Sequence, residues 1–317
     1  MPLPPVQGQT LTGTPLREPA WSAETRARLL EDLAIARAAF EVAPTREDSF
    51  IWLGRRLGYL ARWPEAIEVF TAGLELHPDS YKLYRFRGRH RARYRALDLA
   101  IADYRRAAEL VEAHEDSFEP DGIINERHQY LGTYKSNIHY YLAQTSYATG
   151  DYETTVSGMT RAASEPLGQS PDRTVSTAYW RYLALRKLGR DAEAAAVVAP
   201  VPAGLDIIEN HTYYRAVLLF NGTLTAEELL PDADSLIRFA IAMQHEFAGE
   251  RERAVELWRE IVDGSAQGFW PAEAELLKLL RAAEVQHTDD IVRDLCSLYD
   301  VAGRVENAPA HADLRRL

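Results

Sequence analysis

The sequence predicts an all-α fold, a right-handed superhelical solenoid of antiparallel helix pairs. Three observations carry that expectation. Apolar positions recur at helical spacing through nearly the whole chain. A plan of small and large residues repeats about 34 positions apart. Glycines punctuate the later half where one helix of a pair should turn into the next. No Val/Ile/Thr-rich alternating run interrupts this pattern, so no sheet is expected.

Composition agrees. The 317 residues are 46% apolar and 26% charged, a globular balance. That length suits two ordinary domains or up to about nine helix-turn-helix units. The repeat decides for one solenoid domain over residues 21–303, because each pair buries its apolar face only against its neighbours. The formal charge of −11 argues against nucleic acid or an anionic membrane as partner. Only Lys82, Lys135, Lys187 and Lys278 among the 36 basic residues are Lys. A GC-rich genome is the simplest reason. The single cysteine, Cys296, excludes an internal disulfide framework and a CxxC site. On the last expected helix it suits a buried structural thiol better than a nucleophile. No apolar run approaches the ~18 residues of a spanning helix. Residues 1–20 carry several prolines but no apolar h-region, so they are not a signal peptide as written. A cytoplasmic location is expected. A mature exported form with its signal removed would look the same.

Along the chain, residues 1–20 read as an extended Pro/Gly-rich arm. A helix should start after Ser22, an N-cap, and stop before Pro44; Leu29, Leu33, Ala36 and Phe40 give its apolar face. Residues 47–80 and 81–114 then follow one plan. Gly54 is matched by Gly88, Ala66 by Ala100, Phe70 by Tyr104 and Gly73 by Ala107. The small residues let paired helices approach, and the large ones fill the gap to the next pair. Pro64 sits in the first turn of a second helix, where no N–H is needed. Later units hang on Gly150, Gly189, Gly222 and Gly249, whose uneven spacing makes the fifth unit degenerate. A last pair is expected from Pro271 to about Ala283 and from Thr288 to about Ala302, with Gly303 after it and a polar tail over 304–317. Between the second and third units, residues 115–135 are an acidic insertion. A long ordered loop inside a repeat array is often functional.

The small-large plan of residues 47–114 resembles the tetratricopeptide repeat (TPR) family, and the chain looks like a bacterial member. The first two units match well; the later ones match in part. The resemblance implies that the first helix of each unit lines a concave face. It places in that groove Arg55 from the first unit and Arg85 and Arg89 from the second. The third gives Asn137, Tyr140, Gln144 and Tyr147, the fourth Ser176 and Tyr179, and the sixth Phe239 and Met243. Asn210, His211 and Tyr214 are groove candidates of the irregular fifth. The groove would then be cationic at its amino end, polar and aromatic in the middle, and apolar toward the carboxyl end.

Residues 85–95, RFRGRHRARYR, are the most unusual stretch. At about 100° per residue, alternate arginines wind around a helix rather than forming one stripe. Arg87 stands where the family usually has an inward Leu, so it needs a carboxylate or carbonyl partner. The nearest acids in sequence are Glu115, Asp116, Glu119 and Asp121, which predicts that the insertion folds back on this helix. Catalytic signatures are missing: there is no GxGxxG, phosphate loop, GxSxG or HExxH, and the histidines are scattered. No cofactor or metal is expected. The leading functional reading is a non-catalytic recognition scaffold for an extended peptide or a small acidic, apolar ligand. The alternatives are an enzyme or small-molecule carrier using the same concavity with the insertion as lid, and a partner-assembling protein. Homo-oligomerisation is left open. A closed, deep pocket favours the enzyme or carrier; a shallow groove favours a peptide.

Overall fold

The computed structural model describes residues 5–282. The chain divides into two compact units, Met1–Glu275 and Leu276–Leu317. In the second, residues 276–282 are helical. The expected helix from Thr288 to Ala302, with Cys296 and Gly303, and the tail over 304–317 lie outside the described residues.

The first unit is an α-solenoid. Helix α1 (Ala23–Val42) precedes the pairs α2 (Glu47–Tyr59) with α3 (Trp63–Leu76) and α4 (Tyr81–Arg93) with α5 (Leu97–Val111). The pairs α6 (Tyr134–Thr149) with α7 (Tyr152–Ser164) and α8 (Pro171–Lys187) with α9 (Asp191–Val198) follow. Next come α10 (His211–Phe220) with the single turn α11 (Ala226–Leu229), then α12 (Ser235–Phe247) with α13 (Arg251–Asp263). Apart from the single turn α11, each second helix packs on the first helix of its pair, and α2, α4, α6, α8, α10 and α12 pack successively as an inner row. Short connections leave the chain little choice but to reverse, so the pairs are antiparallel.

Local chemistry sets the boundaries. The Ser22 hydroxyl accepts from the Thr25 N–H, capping α1. Thr225 and Glu228 form a capping box on α11, and Pro231 in a following 3₁₀ turn keeps that helix to one turn. The α8–α9 and α12–α13 turns put Gly189 (φ 71°) and Gly249 (φ 83°) in the left-handed region. The α2–α3 and α4–α5 turns ask the same of Ala61 (φ 57°) and Arg95 (φ 70°). A residue with a Cβ costs about 1–2 kcal/mol there, which tertiary contacts must offset. Ala61 is fully buried with Leu16 and Trp63; Arg95 is held by ion pairing, described below.

One expectation fails at the amino end. The arm contains a small antiparallel hairpin, β1 (Val6–Gln9) with β2 (Pro15–Arg17), so the fold is not free of sheet. Its Leu16 plugs the space beside the α2–α3 turn. Its far side reaches the carboxyl end of the unit: Arg17 N–H donates to the Ala266 carbonyl at 2.8 Å, and Leu11 N–H to Glu273 Oε2 at 3.0 Å.

Gly54 and Gly88 do what the repeat plan asks. A Cβ on Gly54 would lie 2.4 Å from the fully buried Phe70 ring, and one on Gly88 3.0 Å from Tyr104. Gly54→Ala should therefore overpack the first pair and cost about 1–3 kcal/mol despite its better helix propensity. The shift of the urea midpoint measures this; a stabilised variant would mean the two helices do not touch there.

Candidate functional site

The inner row lines a partly open chamber of about 530 Å³. Two segments complete the wall. The insertion starts as a bridge between Phe118 and Thr133, tied by Glu119 N–H to the Gly132 carbonyl. It then crosses the inner face. Arg56 Nη1 of α2 donates to the Gly122 carbonyl at 2.9 Å. On the far side Arg127 pairs with Asp206, and Asn125 Nδ2 donates to Glu209 Oε1 at 2.7 Å. The opposite wall is the segment over 267–271, held by Arg95. Arg95 donates from Nε and Nη2 to both oxygens of Glu273, at 2.8 and 2.7 Å, and from Nη2 to the Gln267 carbonyl at 2.7 Å.

Of the fourteen residues expected in the groove, Arg55, Arg85, Arg89, Asn137, Tyr140, Gln144, Ser176 and Asn210 face the chamber. The rest do not. Tyr147, Tyr179, Phe239 and Met243 are fully buried in interhelical packing. Tyr147 meets Tyr152 and Trp180 edge to face, Tyr179 packs on Tyr213 and Phe220, and Phe239 meets Phe269. His211 is exposed at the start of α10. The Tyr214 hydroxyl is taken up by the Pro202 carbonyl and Leu205 N–H. The inward positions are instead the sequence neighbours Trp180 and Tyr213, one residue away in each case. Tyr141, Arg93, Arg95, Trp270 and the acids Glu119, Asp121 and Asp172 also line the chamber without having been expected there. Arg93 was legible: it continues Arg85 and Arg89 at a spacing of one helical turn.

The walls differ in chemistry. At the α8 end, Tyr140 Oη and Tyr213 Oη share a hydrogen bond of 3.0 Å, and Trp180 Nε1 donates to Tyr140 Oη at 3.0 Å. Trp270 stacks on Trp180 at 5.6 Å between centroids. Burial pushes the Tyr140 and Tyr213 phenols up, so both stay neutral. Asp172 is consumed structurally: its carboxylate accepts from the backbone N–H groups of Ile208, Glu209 and Asn210.

The α4 end is cationic. The insertion does fold back on this helix, but only in part as expected. Arg85 Nε lies 2.7 Å from Glu119 Oε2, with 1% and 7% of the two side chains exposed. Arg87 does not reach the insertion. It makes a bidentate pair with Asp103 of α5, at 3.0 and 2.7 Å, and Arg91 joins the same carboxylate at 2.8 Å. The reason is geometry: Asp103 lies on the partner helix at the level of Arg87, whereas the insertion crosses the other face. Asp116 accepts from Ser117 and Lys135 N–H at the entry to α6. Asp121 makes no ion pair among the described residues; Glu209 and Glu119 act on it more strongly than Arg55 does.

Arg55, Arg89 and Arg93 thus form no ion pair among the described residues. Arg55 is 6% exposed, its Nη1 has no hydrogen-bond partner, and its guanidinium rests on the Trp52 and Phe86 rings. Arg89 lies over Tyr141 at 5.3 Å. Burial alone would raise the Tyr141 phenol, but Arg89, Arg85 and Arg93 together outweigh it and bring it below its ordinary value. Tyr141 in turn raises Arg89. Enclosure by protein, then repulsion from Arg89, lowers Arg93, although its side chain remains open to the chamber. Nearby His90 donates from Nδ1 to the Phe86 carbonyl at 2.7 Å; burial lowers its pKa to about 3, so it is neutral and adds no charge.

No protein-family profile and no curated protein sequence matches the chain. Solved structures do. A tetratricopeptide repeat protein from Parabacteroides merdae is 14% identical, with a TM-score of 0.49 over 81% of this chain and 93% of the other. YrrB, described as a TPR protein with an unusual peptide-binding site, is 13% identical, with a TM-score of 0.42 over 76% and 97%. MamA is 15% identical, with a TM-score of 0.42 over 55% and 86%. The stacked helix pairs and inner row are of the tetratricopeptide-repeat type. Among the described residues no helix is long and apolar enough to cross a membrane.

Two predictions follow from the insertion's contacts. Removing either partner of Arg85–Glu119 should cost about 3–5 kcal/mol, because it strands a buried charge. In a double-mutant cycle with Arg85→Leu and Glu119→Gln, a coupling near zero would show that the contact is superficial. Asp121 behaves oppositely. Burial, then Glu209 and Glu119, raises its carboxyl from 3.8 to about 6. A raised carboxyl favours the folded state while protonated, and that benefit is lost as pH rises from about 4 through about 6. Asp121→Asn should therefore raise the melting temperature at pH 7.5 and have little effect below pH 4, in thermal scans across that range.

Proposed function

We propose that the protein is a non-catalytic binding protein that encloses a small acidic ligand with an aromatic or apolar body. The observation that carries this reading is the set of three guanidinium groups, Arg55, Arg89 and Arg93, without ion-pair partners at one end of the chamber. Of the three, Arg55 is buried, Arg89 half-buried and Arg93 exposed; the unpaired charge on Arg55 is costly, and an anion entering the chamber relieves that cost. Charge-assisted bonds to arginine are roughly twice as strong as neutral ones. The opposite end, with Trp180, Trp270, Tyr140 and Tyr213, offers ring faces and edges to the ligand's body. The chamber's size, within the range of about 300–1,000 Å³ for small-molecule sites, supports a compact ligand over a long peptide. In this reading the insertion over 115–135 is the lid.

A second reading is favoured by the chamber's polar middle. Asn137, Gln144, Ser176 and Asn210 could serve a peptide backbone, so a peptide's carboxyl end would meet the same order of chemistry. YrrB's described peptide-binding site belongs to that protein. Native mass spectrometry of the purified protein separates the two, since a retained peptide and a retained small acid differ in mass.

Arg89→Ala should weaken the binding of phenyl phosphate by at least about 1.5 kcal/mol, more than tenfold, and binding should weaken with added salt. Thermal stability should change little. Calorimetric affinities unchanged in Arg89→Ala, Arg55→Ala and Tyr141→Phe alike would remove the chamber from consideration.

A further inference from the structure

A second cavity, about 180 Å³, lies beside the chamber. Its walls are Trp21, Trp63, Phe86, His90 and Gly58, together with residues that also line the chamber. The shared residues are Arg55, Tyr59, Arg89, Arg93 and Gln267. The three arginines without ion pairs are therefore not at a dead end. They stand between two spaces, a large one with a polar middle and aromatic far end, and a small one walled by two tryptophans and a phenylalanine.

This juxtaposition decides where the anion sits within the ligand. A ligand with its acid group at the terminus would fill the chamber and leave the smaller space unused. A ligand whose anionic group lies in its interior would place that group on the arginines and send a ring to each side. The small cavity is chemically suited to a ring. Trp21 and Trp63 supply π faces, and His90 is kept neutral by burial, so it does not repel or attract charge. Acidic side chains do not line the small cavity, whereas Glu119, Asp121, Asp172 and Glu209 line the larger one. A neutral, flat group suits the first, and a larger group with hydroxyl or amino functions suits the second.

Resting on the proposed binding of an acidic ligand, we infer that the ligand is bipartite: a phosphodiester or diphosphate diester linking two ring-bearing halves, its bridging anion held by Arg55, Arg89 and Arg93 and its smaller ring lodged against Trp21. Such a group presents non-bridging oxygens on both sides, matching planar donors that approach from more than one helix. Arg55 comes from α2 and Arg89 and Arg93 from α4, so the donors do approach from two elements.

The test uses diphenyl phosphate and phenyl phosphate, titrated calorimetrically into the full-length protein and its Trp21→Ala variant. Trp21 precedes the α1 cap and is 37% exposed, so its loss should leave the fold intact; a thermal melt checks this. Phenyl phosphate carries more charge, and a site for terminal anions would prefer it. The expected result is tighter binding of diphenyl phosphate, with Trp21→Ala weakening it about tenfold and leaving phenyl phosphate unchanged, as for loss of one ring-stacking contact. Equal effects of Trp21→Ala on both probes, or none on either, would overturn the bipartite ligand while leaving the acidic-ligand reading standing. Should Arg89→Ala fail to weaken either probe, or should neither bind, both readings fall.

Discussion

The Arg95–Glu273 pair is the contact on which the interior depends. It joins residues 178 positions apart, and its side chains are 5% and 0% exposed. Helix-pair solenoids normally leave their inner row open, because each unit touches only its neighbours. Here the α4–α5 turn reaches across to the carboxyl end of the same unit, and the hairpin adds the Leu11 N–H to the same carboxylate. The fit is tight: a Cβ on Gly268 would lie 2.2 Å from Glu273 Oε1 and 2.8 Å from Arg95 Nη2. A buried ion pair contributes little net stability once desolvation is counted, so its role is to fix where the closing segment lands. Closure turns a concave surface into a chamber, and the positive φ of Arg95 is the local cost of aiming its side chain there.

The alternation of arginines along α4 sorts them by face. Arg87 and Arg91 turn to α5 and share Asp103, which is 2% exposed. Arg85, Arg89 and Arg93 turn inward, and one acid from the insertion, Glu119, neutralises the first of them only. The chain as a whole carries −11, so it does not lack carboxylates. A further chamber acid, Asp172, is engaged by backbone N–H groups, and Asp121 makes no ion pair among the described residues, although Arg55 acts on it at longer range. Positive charge is thus concentrated on the inner face of an acidic protein, and the proposed binding of an anion rests on that contrast.

Much of this architecture was legible in the sequence. The repeat of Gly54, Ala66 and Phe70 in Gly88, Ala100 and Tyr104 named the first two pairs, and Ser22 and Pro64 marked helix ends where they occur. The inner stripe was legible where the repeat is regular: Arg55, Arg85, Arg89, Asn137, Tyr140 and Gln144 all face inward. It failed at Tyr147 of the third unit and Tyr179 of the fourth, which pack between helices, and at Tyr214 of the degenerate fifth, whose hydroxyl is taken up by the backbone. Periodicity could not reveal the Arg95–Glu273 closure, since nothing local in either segment encodes a partner so distant. Nor could it choose Asp103 over the insertion for Arg87, because both lie within reach in sequence and only the packing of α5 on α4 separates them.

The insertion over 115–135 is held unequally at its two edges. On the α4 side the insertion is fixed by Arg85–Glu119, nearly dry, with Asn137 Nδ2 adding a bond of 3.1 Å to the same carboxylate. Breaking that edge strands a buried charge, at about 3–5 kcal/mol. On the α10 side it is tied by Arg127–Asp206, with 45% and 72% of the side chains exposed. A pair so hydrated is worth about 1 kcal/mol or less and is weakened by salt. The contrast ranks the two edges: separating the insertion from the loop that carries Asp206 and Glu209 would cost less than separating it from α4, where a buried charge would be left without its partner.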